Sequence, residues 1–447
     1  MAATTPAGSA PGRAAALIAA GLAQREQAFV NQAHTDPTPV PAATPGSASA
    51  TAPAAAGSAS RARTAAAPQA GTAPAARPLA GLRVLELGQI IAAPFAGAIL
   101  CDLGAEVIKL ERPDGGDEGR RMGPPFRHDD SLIFQVFNHG KRSVSFDLKT
   151  VAGRARLERL AAGADVLLHN LRPGVLEPLG FGGPELCARH SRLVFCEISA
   201  FGHTGPLAAY PGYEPLIQAY SGLSATNGGP QDPPVRMGAS MCDQGAGMWA
   251  VIGILAQLQR RQVTGRGGVV NTSLLETAIN WNGMKNDAWV NLGQAPVRHA
   301  SGHPGFVPYE AFDTADGPLL ICCGNDRLFV KLATELGHPE WAKDPRFIDN
   351  RARIANQEVL LPALRALLRL RPRAALQAQL EAAGVPCAPV HTLEEALAQP
   401  QVDSLGILRP VPGEDFTLTS LPLSFDGARP APTGRAPHLG EHDTTLG

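Results

Sequence analysis

Between Leu82 and Leu110 the chain contains one unit that leaves few architectures open. Leu82 to Leu87 (LRVLEL) is a short run rich in leucine with a β-branched residue. Ala92 to Leu103 then places Ala, Phe, Ile and Leu at helical spacing, Gly104 closes that stretch, and Glu106 to Leu110 (EVIKL) is a second strand-like run. Two strands joined through a helix must lie parallel, with a right-handed crossover. Asp165 to His169 (DVLLH) and Leu193 to Ser199 (LVFCEIS) follow further helical stretches, so the alternation predicts an α/β fold built on a doubly wound sheet.

Such a sheet invites a dinucleotide, and Glu111 stands where an acid often meets a ribose. The turn after the first strand reads Gly88-Gln89-Ile90-Ile91-Ala92-Ala93-Pro94, however, which lacks the GxGxxG spacing that cradles a pyrophosphate. The formal net charge of −1 over 447 residues gives no field that would gather nucleic acid or an anionic membrane. No apolar run approaches the roughly 18 to 20 residues needed to span a bilayer. The N-terminus lacks the pattern of a secretory signal, which makes a cytoplasmic protein the simplest expectation. Seven cysteines without a CxxC pair, and twelve scattered histidines without HExxH, argue against a disulfide framework and a metal centre.

Residues 1–77 are dominated by Ala, Pro, Ser, Thr and Gly and are expected to form a disordered tail. Ala14 to Val30 could form a transient helix, and a transit peptide stays open because acids are scarce. Beyond the tail, two loops put cations beside flexible backbone. They are Arg112-Pro113-Asp114-Gly115-Gly116-Asp117 and Gly140-Lys141-Arg142, the latter just before a strand-like Ser143 to Leu148. Cations so placed either pair with phosphates or are ordinary surface charges.

Taken in order, the segments LAGLRVLELGQIIAAPFAGAILCDLGAEVIKLERPDGGDEGRR, NHGKRSVSFDLKT, ADVLLHNLRPGVLEPLG, SRLVFCEISAFGHTGP, YEPLIQAYSGL, MGASMCDQGAGMWAVIGILAQLQRRQVTGRG, VPYEAFDTADG and HLGEH resemble the CaiB/BaiF (family III) CoA-transferases from Leu79 to the C-terminus. The resemblance implies a Rossmann-like large CoA-binding domain over 78–269, a smaller α/β domain over 270–395, and a C-terminal segment, 396–447, that returns to the large domain. It also implies an interlocked, ring-like homodimer. CoA thioesters and small carboxylic acids would be substrates, with no permanently bound cofactor. By position, Arg112, Lys141, Arg142, Asn170, Gln89 and Tyr213 are the implied CoA-binding residues.

The same resemblance places the nucleophile at Asp243, in Met237-Gly238-Ala239-Ser240-Met241-Cys242-Asp243-Gln244-Gly245. A carboxylate there can attack a thioester, expel CoA and form a mixed anhydride, with backbone N–H groups of the glycine-containing turn as the expected oxyanion donors. Local pattern leaves a second role open. Helical spacing runs from Met248 to Arg260, so an aspartate just before it could cap that helix, and a helix N-terminus would be expected to keep it ionised. Glu214, in Tyr213-Glu214-Pro215, is the second candidate catalytic acid. Tyr-Glu resembles the formyl-CoA transferase branch, whereas the racemase branch carries His-Asp for proton transfer at the α-carbon. Where formyl-CoA transferases have an acyl-contacting Gln this chain has Ile91, with Gln89 two residues earlier. HPGFVPYEAF (303–312) and the terminal HLGEH resemble succinate-hydroxymethylglutarate transferases. That points to a dicarboxylate, with Arg298, His299 and His303 as candidate partners for its distal carboxylate.

Overall fold

A computed structural model of the chain describes residues 77–127 and 129–446; the expected tail lies outside the described residues except for Arg77. Six strands, β1 (Arg83–Leu87), β2 (Glu106–Glu111), β3 (Arg142–Ser145), β4 (Val166–His169), β5 (Val194–Ser199) and β6 (Gly268–Ser273), form one sheet in the order β3-β2-β1-β4-β5-β6. Every neighbouring pair is parallel. The strand order reverses between β1 and β4. In sheets of this kind, ligands bind outside the carboxyl ends of the strands at that reversal.

Seven helices accompany the sheet: α1 (Ala92–Asp102), α2 (Leu132–Asn138), α3 (Val151–Ala162), α4 (Gly183–Arg189), α5 (Glu214–Tyr220), α6 (Met241–Thr264) and α7 (Leu274–Trp281). Strand alternation sends Val84, Val107, Val166 and Val194 to one face, where they pack with Ile99 and Leu100 of α1 and Ala250 and Ile254 of α6. Leu85, Ile108, Leu167 and Phe195 point the other way, against Leu157 of α3 and Leu186 of α4. Burying each such side chain contributes about 1.5–3 kcal/mol, which is why near-continuous apolar strands are stable only between two helical layers.

Strand β6 runs to Ser273, and Leu274 and Ala278 join the core of the large sheet, so the chain stays with that sheet past residue 269. Farther on, β7 (Tyr309–Asp313), β8 (Pro318–Cys322) and β9 (Cys387–Pro389) make an antiparallel sheet in the order β9-β8-β7. Its separate core includes Phe312, Leu319, Ile321, Phe329, Leu364 and Leu376. The C-terminal segment comes back to the edge strand of the large sheet. There the His442 N–H donates to Ser143 O (2.9 Å) and the Ser145 N–H to Asp443 Oδ1 (2.8 Å). Among the described residues no helix is long and apolar enough to cross a membrane, and no group of three His, Cys, Asp or Glu side chains is placed to hold a metal ion.

Candidate active site

Helix α6 starts at Met241, seven residues ahead of the spacing visible in the sequence, so Asp243 lies inside its first turn. Gly247, four residues on and on the same helical face, is what brings Asp243 to the sheet reversal. A Cβ there would stand 2.7 Å from the Ala92 carbonyl oxygen, so only glycine allows α6 this close to the start of α1. The cap of α6 is not local. Ser240 gives no side-chain bond; instead Glu214, at the start of α5, accepts from the Cys242 N–H at Oε1 (3.1 Å) and from the Asp243 N–H at Oε2 (2.7 Å). The capping role left open for Asp243 therefore belongs to Glu214, and Asp243 keeps its carboxyl group for the cavity. Gln218 donates to Glu214 Oε1 (2.7 Å) while accepting from the Met237 N–H (2.8 Å), which fixes its amide orientation.

Opposite Asp243 lies the turn Gly88-Gln89-Ile90-Ile91. Its backbone is tied to a group of buried charges beneath it. Lys109 Nζ reaches Glu86 (2.9 Å), Asp117 (2.8 Å) and the Gly88 carbonyl (2.9 Å), and Lys141 Nζ reaches Glu86 (2.6 Å), Asn138 Oδ1 (2.9 Å) and the Pro94 carbonyl (2.8 Å). Glu86 fits between sheet and helix because α1 has Gly97 above it; a Cβ there would fall 1.9 Å from Glu86 Oε2. Burial works against the Lys109 charge, but Asp117, Glu86 and Glu111 outweigh it and raise its pKa. Burial likewise opposes the Asp117 charge, and Lys109 with the Gly119 and Ile90 amides overcomes it, holding that carboxyl below its ordinary range. Lys141 is pulled down to about 8, chiefly by burial.

Two chambers open at the reversal. One, of about 360 Å³, is lined by Gln89, Ile90, Ile91, Glu118, Asn170, Arg172, Tyr213 and Asp243, among others. The second, of about 280 Å³, has apolar walls that include Leu87, Leu110, Phe146, Leu148 and Leu179, with Arg112 and Lys149 also lining it. Gln89, Leu171 and Val175 belong to both, so the chambers are contiguous.

Of the residues expected at the site, Asp243, Gln89, Asn170, Tyr213 and Arg112 are thus brought together, and Glu214 lies beneath Asp243. Asn170 lines the cavity, but its amide is engaged with the backbone of Gln89, accepting at 2.9 Å and donating at 3.0 Å. Two expectations need correction. Lys141 is 3% exposed and bound to Glu86, so its ammonium does not reach a ligand in either chamber. Arg142 starts β3 and pairs with Glu106 (2.6 Å), the first residue of β2. In a parallel sheet all strand starts share one edge, so Arg142 sits at the end opposite the cavity. Arg298, His299 and His303 line neither chamber; Arg298 donates to the Pro230 carbonyl (3.3 Å), and His303 packs with Phe306 and Tyr309. Lys149 and Arg172, which sequence reasoning passed over, do line them. Lys149 follows directly on Ser143 to Leu148 and Arg172 stands just past Asn170 and Leu171, so a strand end at a ligand crevice was the available signal.

Electrostatically, Asp243 is unusual. Burial first, and then the charge of Glu214, push its carboxyl up to about 7. The helix N-terminus does not keep it fully ionised at neutral pH, because the amides of its first turn are already committed. Met241 N–H goes to Ala239 O, Cys242 and Asp243 N–H to Glu214, and Gln244 N–H to Ser240 O. By contrast α1 begins without a side-chain cap at Ile91, which lines the Asp243 chamber. Glu197 is also raised to about 7, by burial and then Glu177, and His169 is drawn down to about 3, chiefly by burial, but neither lines the chambers.

Comparison with known proteins adds a frame for this geometry. Residues 79–443 match the sequence profile described as CoA-transferase family III. The chain is 39% identical over 332 residues to the acetyl-CoA:oxalate CoA-transferase of Acetobacter aceti, covering 74% of this chain and 85% of that protein. It is 35% identical over 386 residues to the succinate–glutarate CoA-transferase of Agrobacterium fabrum, covering 83% and 94%. The crystal structure of a CaiB/BaiF family protein from Brucella suis is similar with a TM-score of 0.74 at 36% identity, covering 83% of this chain and 98% of that one.

Proposed function

The chain belongs to CoA-transferase family III and is a CoA-transferase, and from that premise we propose that Asp243 carries the acyl group and then CoA between two carboxylic acids. The observation that carries this reading is an aspartate at the sheet reversal, facing a cavity, with its carboxyl pushed up to about 7 and Glu214 as its nearest charge. A carboxylate of that basicity is a better nucleophile than an ordinary one once ionised.

An Asp243 oxygen adds to the thioester carbonyl of the donor, and the C–S bond breaks to release CoA thiolate and leave a mixed anhydride. The thiolate then attacks the aspartyl carbonyl, frees the donor acid and forms an aspartyl-CoA thioester. The acceptor carboxylate displaces CoA from that thioester to make a second anhydride. The returning thiolate takes the acceptor acyl group and restores Asp243. No water is consumed at any step, and the amides at the uncapped start of α1 are our candidates for the oxyanion donors. Arg112 and Lys149 are candidates for the CoA phosphates, with the apolar walls between them holding the less polar parts of the coenzyme. Glu214 acts by holding the Asp243 amide and raising its carboxyl, not by touching substrate.

Oxalate and glutarate, named for the two relatives, are both dicarboxylates, which supports a dicarboxylic acid here, with succinyl-CoA as the first donor to try. Met248 and Ile252, 49% and 52% exposed on α6 beside Trp249, support burial against a second copy in an interlocked dimer; sedimentation at the mass of one chain would end that part. The central test is exchange of label between succinyl-CoA and succinate or other dicarboxylates. Asp243→Ala should lose at least about a thousandfold in kcat, and hydroxylamine should trap an acyl-CoA-dependent hydroxamate at Asp243. Wild-type exchange in the variant would refute the assignment.

A further inference from the structure

Ile90 has φ of 65°, in the left-handed region that a β-branched side chain strongly disfavours. Three consecutive residues of its turn are held by side chains from elsewhere. The Gly88 carbonyl accepts from Lys109 (2.9 Å), the Gln89 amide and carbonyl both bind Asn170 (2.9 and 3.0 Å), and the Ile90 N–H donates to Asp117 Oδ1 (2.9 Å). Asp117 is itself fixed without help from the turn. Its Oδ1 also accepts from the Gly119 N–H (2.8 Å), Lys109 stands 2.8 Å from Oδ2, and its own N–H donates to Glu111 (3.0 Å).

The strained conformation has a functional address. Gln89 lines both chambers, Ile90 and Ile91 line the one that holds Asp243, and α1 starts at the next residue. A return of Ile90 to negative φ would redirect the chain between Gln89 and α1 and carry both away from the nucleophile. We infer that Asp117 is a positioning residue for CoA transfer: it holds Ile90 in the left-handed conformation that keeps the Gln89 turn and the start of α1 against Asp243. The inference rests on the reading of Asp243 given above.

A double-mutant cycle on the full chain tests it, with exchange of labelled succinate into succinyl-CoA as the assay. Asp117→Ala should lower kcat by about a hundredfold, the scale expected for a misplaced reacting group, with KM changed less than about threefold. Glycine enters the left-handed region freely, so Asp117→Ala with Ile90→Gly should recover about tenfold of that loss. Losses that simply multiply, or a change confined to KM, would overturn the inference. If the alanine variant does not fold, Asp117→Leu serves, because it fills similar space and offers the Ile90 N–H no acceptor. Hydrogen exchange supplies a reading that needs no turnover. The Ile90 amide should exchange at least about tenfold faster once Asp117 is replaced, and an unchanged rate would overturn the proposal. Retained activity in Asp243→Ala would sink the nucleophile reading alone, leaving the Ile90 amide to decide the role of Asp117.

Discussion

Asp117 and Asp243 are both largely removed from water, yet one is held below the ordinary carboxylate range and the other is raised to about 7. Burial disfavours the charge in both. What differs is the company each keeps. Asp117 faces the Lys109 ammonium at 2.8 Å and two backbone donors, whereas Asp243 has Glu214, another carboxylate, directly beneath it. Compensation makes the first a peg that fixes a turn, and its absence leaves the second a more basic carboxylate, which is what the nucleophilic role proposed for it needs. The two lie across one cavity wall from each other, so the protein builds a rigid side and a reactive side from the same residue type.

Breaking the compensated side should have the largest effect. Lys109→Met leaves Asp117 without its cation and should destabilise the fold by about 3–5 kcal/mol in urea titration; a loss under about 1 kcal/mol would mean the charges are not integral to the fold. On the reactive side, Glu214→Gln removes the second cause of the raised Asp243 pKa. The acid limb of the pH–kcat profile should move to lower pH while the maximal rate falls, and a limb that stays in place would detach Glu214 from the titration. The smallest effect sharpens the contrast through stability. A carboxyl whose pKa rises from 3.8 to about 7 on folding adds stability that is fully present below 3.8 and lost as pH climbs through 7. Asp243→Asn should therefore raise Tm by a few degrees at pH 8, with the gain fading towards pH 4. A gain equal at both pH values would contradict the buried-charge account.

How much of this was legible in the sequence follows from how local each feature is. The β1-α1-β2 unit could be read because strand and helix periods are written in consecutive residues. Asp243 could be placed only through the resemblance of the surrounding segments, since by itself it looked like a cap. The true cap, Glu214, lies 29 residues earlier, and no local pattern ties the two. Arg112 and Lys141 look alike in the sequence, each a cation in or next to a glycine-containing loop. Lys141 is buried because Gly97 leaves room for Glu86 under α1, a close approach that a string of small residues does not announce. Arg142 was misplaced for a simpler reason: it opens its strand, and the crevice is at the other end. Lys149, in the turn that follows that same strand on the cavity side, was there to be found.

The cap that Glu214 provides has one more consequence. Tyr213, the preceding residue, is 62% exposed on the cavity wall. A single peptide link, the Glu214 side chain and one hydrogen bond of 2.7 Å therefore join the cavity wall to the amide of Asp243. With Asp243 as the proposed nucleophile, fit and reactivity are mechanically geared to one another. On that reading, a substitution at position 213 that admits a new acid also retunes the proposed nucleophile, whereas Arg172 lines the same cavity from the loop after β4.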